Sequence, residues 1–188
     1  MRFSKVLMAG ALWLFIMPGP LTLKARAEHN TQDVRWERII GIQQAFDLVG
    51  VGTGQITGGA PWETTEGEAR VNLQTGRVRF HVEGLVLAVG SAGNGALTGL
   101  PIGTPAGVTQ IKGTLVCDVD GSAGGGNSVL VDTPAVSLSA QGDAQFSGTV
   151  GALPAVCSSE PDIAFVLRIV EPAAFADRWI AAGAVRIP

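Results

Sequence analysis

The stretch Glu68-Ala69-Arg70-Val71-Asn72-Leu73-Gln74-Thr75-Gly76-Arg77-Val78-Arg79-Phe80-His81-Val82-Glu83 decides the fold of this chain. Glu68, Arg70 and Asn72 alternate with Ala69, Val71 and Leu73. After a short break, Arg77, Arg79, His81 and Glu83 alternate with Val78, Phe80 and Val82. Successive side chains of a strand point to opposite faces, so a period of two sorts the apolar set from the polar set. Gln74-Thr75-Gly76 supplies the turn, with Gly where a positive φ is needed. The stretch predicts a β-hairpin with one dry face and one wet face.

Outward from this hairpin, shorter runs repeat the pattern. Leu85–Val89 is a short apolar run. In the segment 111–119, Ile111, Leu115, Cys117 and Val119 fall on one face and Lys112, Thr114 and Asp118 on the other. Val129–Val131 is short and β-branched at both ends. In 143–150, Ala144, Phe146 and Val150 are expected inward. The segment Ile163–Val170 is apolar on both faces except for Arg168, which predicts a central strand covered on both sides. Trp179–Ile187 makes a last strand. Trp36, Ile39, Ile40, Gln43 and Phe46 fit one face of a short helix, and a strand almost as well. Pro172–Asp177 suits a single helical turn. Gly90–Gly107 and Asp120–Ser128 are rich in Gly, Ser and Asn and read as loops. These runs predict an all-β fold, an antiparallel β-sandwich or barrel of about seven or eight short strands with one or two short helices at most.

Residues 1–27 have the layout of a cleaved secretory signal: Arg2 and Lys5, the apolar run Val6–Met17, the break Pro18-Gly19-Pro20, and Ala25-Arg26-Ala27 before the cut. The apolar run falls well short of the roughly 20 residues of a membrane-spanning helix. No Cys follows the cut, which argues against a lipoprotein. The expected product is one β-sandwich domain over residues 28–188, periplasmic or extracellular. The leader holds four of the thirteen basic residues, Arg2, Lys5, Lys24 and Arg26, so the remainder sets nine against sixteen acids. That balance excludes a cationic footprint for nucleic acid. Gly, at 26 residues, is about twice its usual share and fits short strands joined by tight loops. There is no Tyr, which counts against a large aromatic recognition surface. In an oxidising compartment the two Cys, Cys117 and Cys157, read first as a disulfide, with two free thiols or a redox pair as the alternative.

Few motifs carry chemistry. Gly50-Val51-Gly52-Thr53-Gly54 brushes against a nucleotide-binding pattern, but Gln55-Ile56-Thr57-Gly58-Gly59 opens no helix after it, so a Gly-rich turn is the better reading. Asp118-Val119-Asp120-Gly121-Ser122 resembles the opening of a calcium loop, to which Asn127 and Asp132 could add ligands. Val129 stands where an EF-hand carries its bidentate Glu, so only a looser calcium site at Asp118 and Asp120 stays open, beside a plain Asp-Gly turn. No Ser sits in a Gly-x-Ser-x-Gly elbow. His29 lies at the new N-terminus, and a lone His81 cannot make a His-rich zinc site. His81 does share a wet face with Arg79 and Glu83, and with Arg70 or Asn72, so a small polar site is conceivable there. Glu63, Glu66 and Glu68 cluster in sequence, which alone does not make a glycosidase pair. Trp36, Trp62 and Trp179 read as core or edge plugs rather than as sugar platforms. No catalytic residue and no cofactor is expected.

Two resemblances follow from these residues. Gly59–Ala69 running into the hairpin and Gly84-Leu85 resembles the start of the chordin-type (CHRD) repeat domain, a secreted β-sandwich module. That family's His-rich stretch after the Gly-Leu is replaced here by Val86-Leu87-Ala88-Val89-Gly90, so a ligand role tied to those histidines does not carry over. Gly113-Thr114-Leu115-Val116-Cys117, Val131-Asp132-Thr133-Pro134, Gly142–Gly148 and Ile163-Ala164-Phe165 are similar to a group of uncharacterised secreted bacterial β proteins. That resemblance implies the paired Cys and the β architecture, and no activity. The expected role is a secreted, non-catalytic binding or structural module. The first alternative is a small-molecule enzyme of β-barrel type with its site near Arg79, His81 and Glu83, and the second a surface-assembly protein with an exposed edge strand.

Overall fold

The computed structural model describes residues 33–88, 100–123, 125–159 and 162–187. The expected leader, with Ala25 and Ala27 at its cut, and His29 lie outside them, as do Gly90 and its neighbours up to residue 99. The hairpin forms as its alternation dictates. Its two strands are Glu66–Asn72 and Arg77–Glu83, paired in antiparallel register from Glu66 opposite Glu83 to Asn72 opposite Arg77. Gly76 takes φ +65° in the turn, where a side chain would be strained and would strike the Gly151 carbonyl.

In chain order, β1 is Asp33–Gly41, β2 Leu48–Val49, β3 Ile56–Thr57 and β4 Trp62–Glu63. The hairpin strands are β5 and β6, followed by β7, Val86–Leu87, and β8, Gln110–Cys117. Next come β9, Val129–Asp132, β10, Val136–Ser137, and β11, Ala144–Thr149. A short helix α1, Ala155–Ser159, precedes β12, Ile163–Glu171, and β13, Trp179–Ile187. Nine of the strands build one antiparallel sheet, ordered β10-β8-β12-β13-β1-β5-β6-β11, with β9 also paired to β8. The sheet curls on itself into a half-barrel. Its two ends meet at the turn between β10 and β11, where Ser139 N–H donates to the Asp143 carbonyl at 2.9 Å. The sandwich-or-barrel expectation takes the curled form.

Aromatic rings fill the concave side. Trp36 meets Phe165, Phe165 meets Phe80, and Phe80 meets Phe146, each pair with centroids 5.7 to 5.9 Å apart. Such tilted and offset pairs are each worth about 1 kcal/mol beyond their burial. The rings fit because Gly113 and Gly183 leave room. A Cβ at Gly113 would stand 2.8 Å from Phe165 and 2.9 Å from Phe80, and one at Gly183 would stand 2.5 Å from Trp36. Trp62 and Trp179 are also buried, so all three plugs belong to the core. Trp179 Nε1 donates to the Asp47 carbonyl at 3.0 Å.

Several readings are sharpened or corrected. The segment around Trp36 is strand β1; Trp36 and Ile39 are buried, while Ile40 and Phe46 are exposed, with Arg178 over the Phe46 ring. The Lys112-Thr114-Asp118 side of β8 is not a wet face. Thr114, Val116 and Asp118 are all at 0% exposure: Thr114 Oγ1 donates to Asp132 in a charged network, and Asp118 accepts from Ala123 N–H at its carboxylate and from Ser128 Oγ at its carbonyl, in the loop that follows β8. In that network Arg168 donates to Asp132 at 3.1 Å and Asp177 at 2.7 Å, and Lys112 reaches the same two carboxylates. Phe146 is only half-buried. The single helical turn appears at Ala173–Phe175 as a 3-10 turn. Cys117, at the end of β8, is bonded to Cys157 on α1. No helix among the described residues is long and apolar enough to cross a membrane.

Candidate functional site

The convex side of the hairpin and its neighbours carries the polar residues in rows across the strands. Arg35 on β1 stands opposite Arg70 on β5, Arg70 opposite Arg79 on β6, and Arg79 opposite Ser147 on β11. On one side runs Glu68, His81 and Gln145; on the other, Asp33, Asn72, Arg77 and Thr149. Neighbouring strands are about 4.8 Å apart, so three guanidinium stems rise side by side in one line. Like charges placed directly opposite one another oppose folding.

Two of the three arginines have their charge offset. Arg35 Nη2 donates to Glu68 Oε2 at 2.7 Å. Arg70 forms a short ion pair with Asp33, which also accepts from Asn72 Nδ2 at 2.6 Å. The Arg70 hydrogen bond holds the Asp33 carboxyl below the usual range; partial burial opposes this and the Asn72 bond assists it. Arg79 and Arg77 have no ion-pair partner among the described residues. His81 Nε2 lies 3.9 Å from Glu66 Oε1 and its Nδ1 3.9 Å from Glu68 Oε1, beyond hydrogen-bond reach.

An open-sided groove of about 720 Å³ runs over this surface, lined by Arg35, Glu68, Arg70, Arg79, His81, Gln145 and Ser147, with Phe80 and Phe146 also bordering it. Of the expected trio, Arg79 and His81 share the groove. Glu83, two residues beyond His81, lies opposite Glu66 and lines a neighbouring depression together with His81, Gln145, Ser137 and Asp143, so His81 borders both hollows. Of the clustered carboxylates, Glu63 pairs into the small β4–β7 sheet, while Glu66 and Glu68 flank His81. Arg70 and Asn72 join the face as expected. Arg35, Gln145 and Ser147 are additions that sequence reading missed. They come from β1 and β11, and which strand lies beside a hairpin is set by register far along the chain. Their one local signal is alternation, and in β1 that signal was split between helix and strand.

The second candidate, the acidic loop, is built differently. Asp118 follows β8 directly, at φ +54° and with its carboxylate buried. Oδ1 accepts from Ala123 N–H at 3.0 Å, and Oδ2 has no hydrogen-bond partner. Asp120 accepts from Ser122 N–H at 2.9 Å, and bonding to Ser122 is the main reason its carboxyl lies below the usual range. The further ligands do not converge. Asn127 Oδ1 accepts from Thr53 N–H, and Asp132 belongs to the Arg168 network. Among the described residues no three His, Cys, Asp or Glu side chains are grouped as a metal site. The glycines at 50–54 serve this loop. A Cβ on Gly54 would stand 1.9 Å from the Ser128 carbonyl, so at position 54 the Gly52–Gly54 turn can pack there only with glycine. No protein-family model, no curated protein and no solved structure matches the chain.

Proposed function

We propose that this protein is a secreted, non-catalytic binding module that engages its ligand on the convex face of β1, β5, β6 and β11. One observation carries the reading: the concave side, where a barrel would hold a substrate, is filled by Trp36, Phe165, Phe80 and Phe146, while unsatisfied polar side chains collect in an open groove on the opposite side. Enzyme sites place nucleophile, base and orienting group within hydrogen-bond reach of one another. His81 makes no hydrogen bond on this face, and its two carboxylate neighbours stand at 3.9 Å. That geometry favours binding over turnover. The secretory leader, the resemblance to a secreted CHRD-type module and the Cys117–Cys157 bridge support an oxidising compartment.

The test is amide chemical-shift mapping on the chain from Glu28 while a library of small polar compounds is added. Binders should perturb Arg70, Arg79, His81 and Ser147 and emerge chemically unchanged. Perturbations confined to the aromatic interior, or conversion of a binder to product, would overturn the reading.

A further inference from the structure

The groove's charges point to a ligand class, an inference that rests on the binding face proposed above. Across β1, β5 and β6 the row Arg35-Arg70-Arg79 sets three cations abreast, and the chain supplies carboxylates to the first two only. Arg79 is the unneutralised member. It faces Ser147 directly and Gln145 one row away, and neither side chain has a hydrogen-bond partner among the described residues. A planar guanidinium beside free hydroxyl and amide groups is suited to an oxyanion with neighbouring hydroxyls. The groove, at about 720 Å³, is far larger than a free oxyanion and falls in the range of small-molecule sites. Its lining is more polar than apolar, with Phe80 and Phe146 beside the charged and amide groups, which suits a ligand that carries polar groups along its length. The acidic balance of the chain, nine basic against sixteen acidic residues beyond the leader, disfavours a long polyanion and leaves a short one.

We infer that the groove binds a short acidic saccharide, its carboxylate or sulfate group held by Arg79 and its hydroxyls by Ser147, Gln145 and Glu68. Isothermal titration on the chain from Glu28 would use digalacturonate, a sulfated disaccharide, the neutral disaccharide cellobiose, and sodium sulfate alone. At least one acidic disaccharide should bind at least tenfold more tightly than cellobiose and than sulfate. Arg79→Gln should weaken it at least tenfold and Arg79→Lys by less. Arg77→Gln, one row away on the same face, should change it under threefold. Circular dichroism verifies that each variant is folded, as expected at exposed positions. If neither acidic sugar binds, or Arg79→Gln leaves binding unchanged, the inference is wrong. Sulfate binding as tightly as the sugars would make a free oxyanion the ligand and also overturn it. Cellobiose binding equally well, with shifts still mapped to Arg79 and Ser147, would refute the acidic class but leave the binding face standing. Shifts mapped elsewhere would refute both.

Discussion

Arg79 stands directly opposite Arg70 on the neighbouring strand, and only Arg70 has a carboxylate beside it. Replacing Arg79 with Gln removes a cross-strand repulsion without breaking an ion pair. It should stabilise the free protein by about 0.5 kcal/mol, the scale of opposed like charges on a sheet. Urea unfolding of the two proteins measures this, and the gain should shrink in high salt as exposed charges are screened. A loss of more than about 1 kcal/mol would show that Arg79 has a partner within the fold.

The disulfide closes a long loop, since Cys117 and Cys157 are 40 residues apart. On the chain-entropy account such a loop is worth about 4 kcal/mol. The double variant Cys117→Ala/Cys157→Ala should lose about that much in urea unfolding. Intact mass with and without reductant checks the bridge itself, which should hide both thiols until reduction.

Gly113 tests how tightly the aromatic interior is packed. Gly113→Ala drives a methyl group toward both Phe165 and Phe80, and an overpacked core costs about 1–3 kcal/mol. The same substitution at Gly103, where nothing lies within 4 Å, should be close to neutral in packing and register only its positive φ. Thermal unfolding of the pair separates the two effects. Equal losses would mean that the rings can move aside.

Acid should loosen the fold through Asp132 and Asp33. Burial alone would raise the Asp132 carboxyl, yet hydrogen bonds from Lys112 and Thr114 and the Arg168 charge outweigh it and hold it below the usual range. Asp33 lies low chiefly through Arg70. Both carboxyls therefore bind protons more readily in the unfolded chain. Their contribution is complete well above the ordinary carboxylate value of about 3.9 and is lost as pH falls through and below it. Asp132→Asn should lower stability near neutrality by about 1–3 kcal/mol, because buried Arg168 keeps only Asp177 as a carboxylate partner. The same variant should lose less on going from pH 6 to pH 3 than the native protein does. Urea midpoints across that interval decide it.

Asp118 carries a buried carboxylate oxygen without a hydrogen-bond partner, and a buried polar atom left unpaired costs free energy. Asp118→Asn keeps the acceptor for Ala123 N–H and removes the charge; it should be neutral or stabilising by up to about 1 kcal/mol. Asp118→Ala abandons the Ala123 bond and should cost about 1–3 kcal/mol. Melting temperatures taken with millimolar calcium and with chelator complete the comparison. A calcium-dependent rise confined to the native protein would show that a cation sits where the donor is missing.

How far the sequence could be read depended on whether the deciding contacts were local. The β5–β6 hairpin and the two-sided burial of β12 follow from alternation within a dozen residues, and the structure has them where the pattern put them. The wet face of the hairpin was legible for the same reason, and with it Arg79 and His81. Placement of β1 was not, because Trp36, Ile39 and Ile40 satisfy either period until β13 and β5 supply the pairing. The three-arginine row is a property of register between separate strands, so no window of sequence contains it. The full burial of Thr114 was not legible either, because the network beside it joins Asp132, Arg168 and Asp177, scattered over the second half of the chain.

The pairing of β1 with β13 bears on the order in which the molecule can be assembled. The earliest and the latest described strands lie side by side in the interior of the sheet, with Trp36 opposite Arg186 and Gly41 opposite Ala181. While the polypeptide is being made, β1 and β12 must each wait with an unpaired edge until residues 179–187 emerge. The sheet is therefore complete only once residues 179–187 are available, and a chain truncated before Trp179 yields an incomplete sheet rather than a smaller domain.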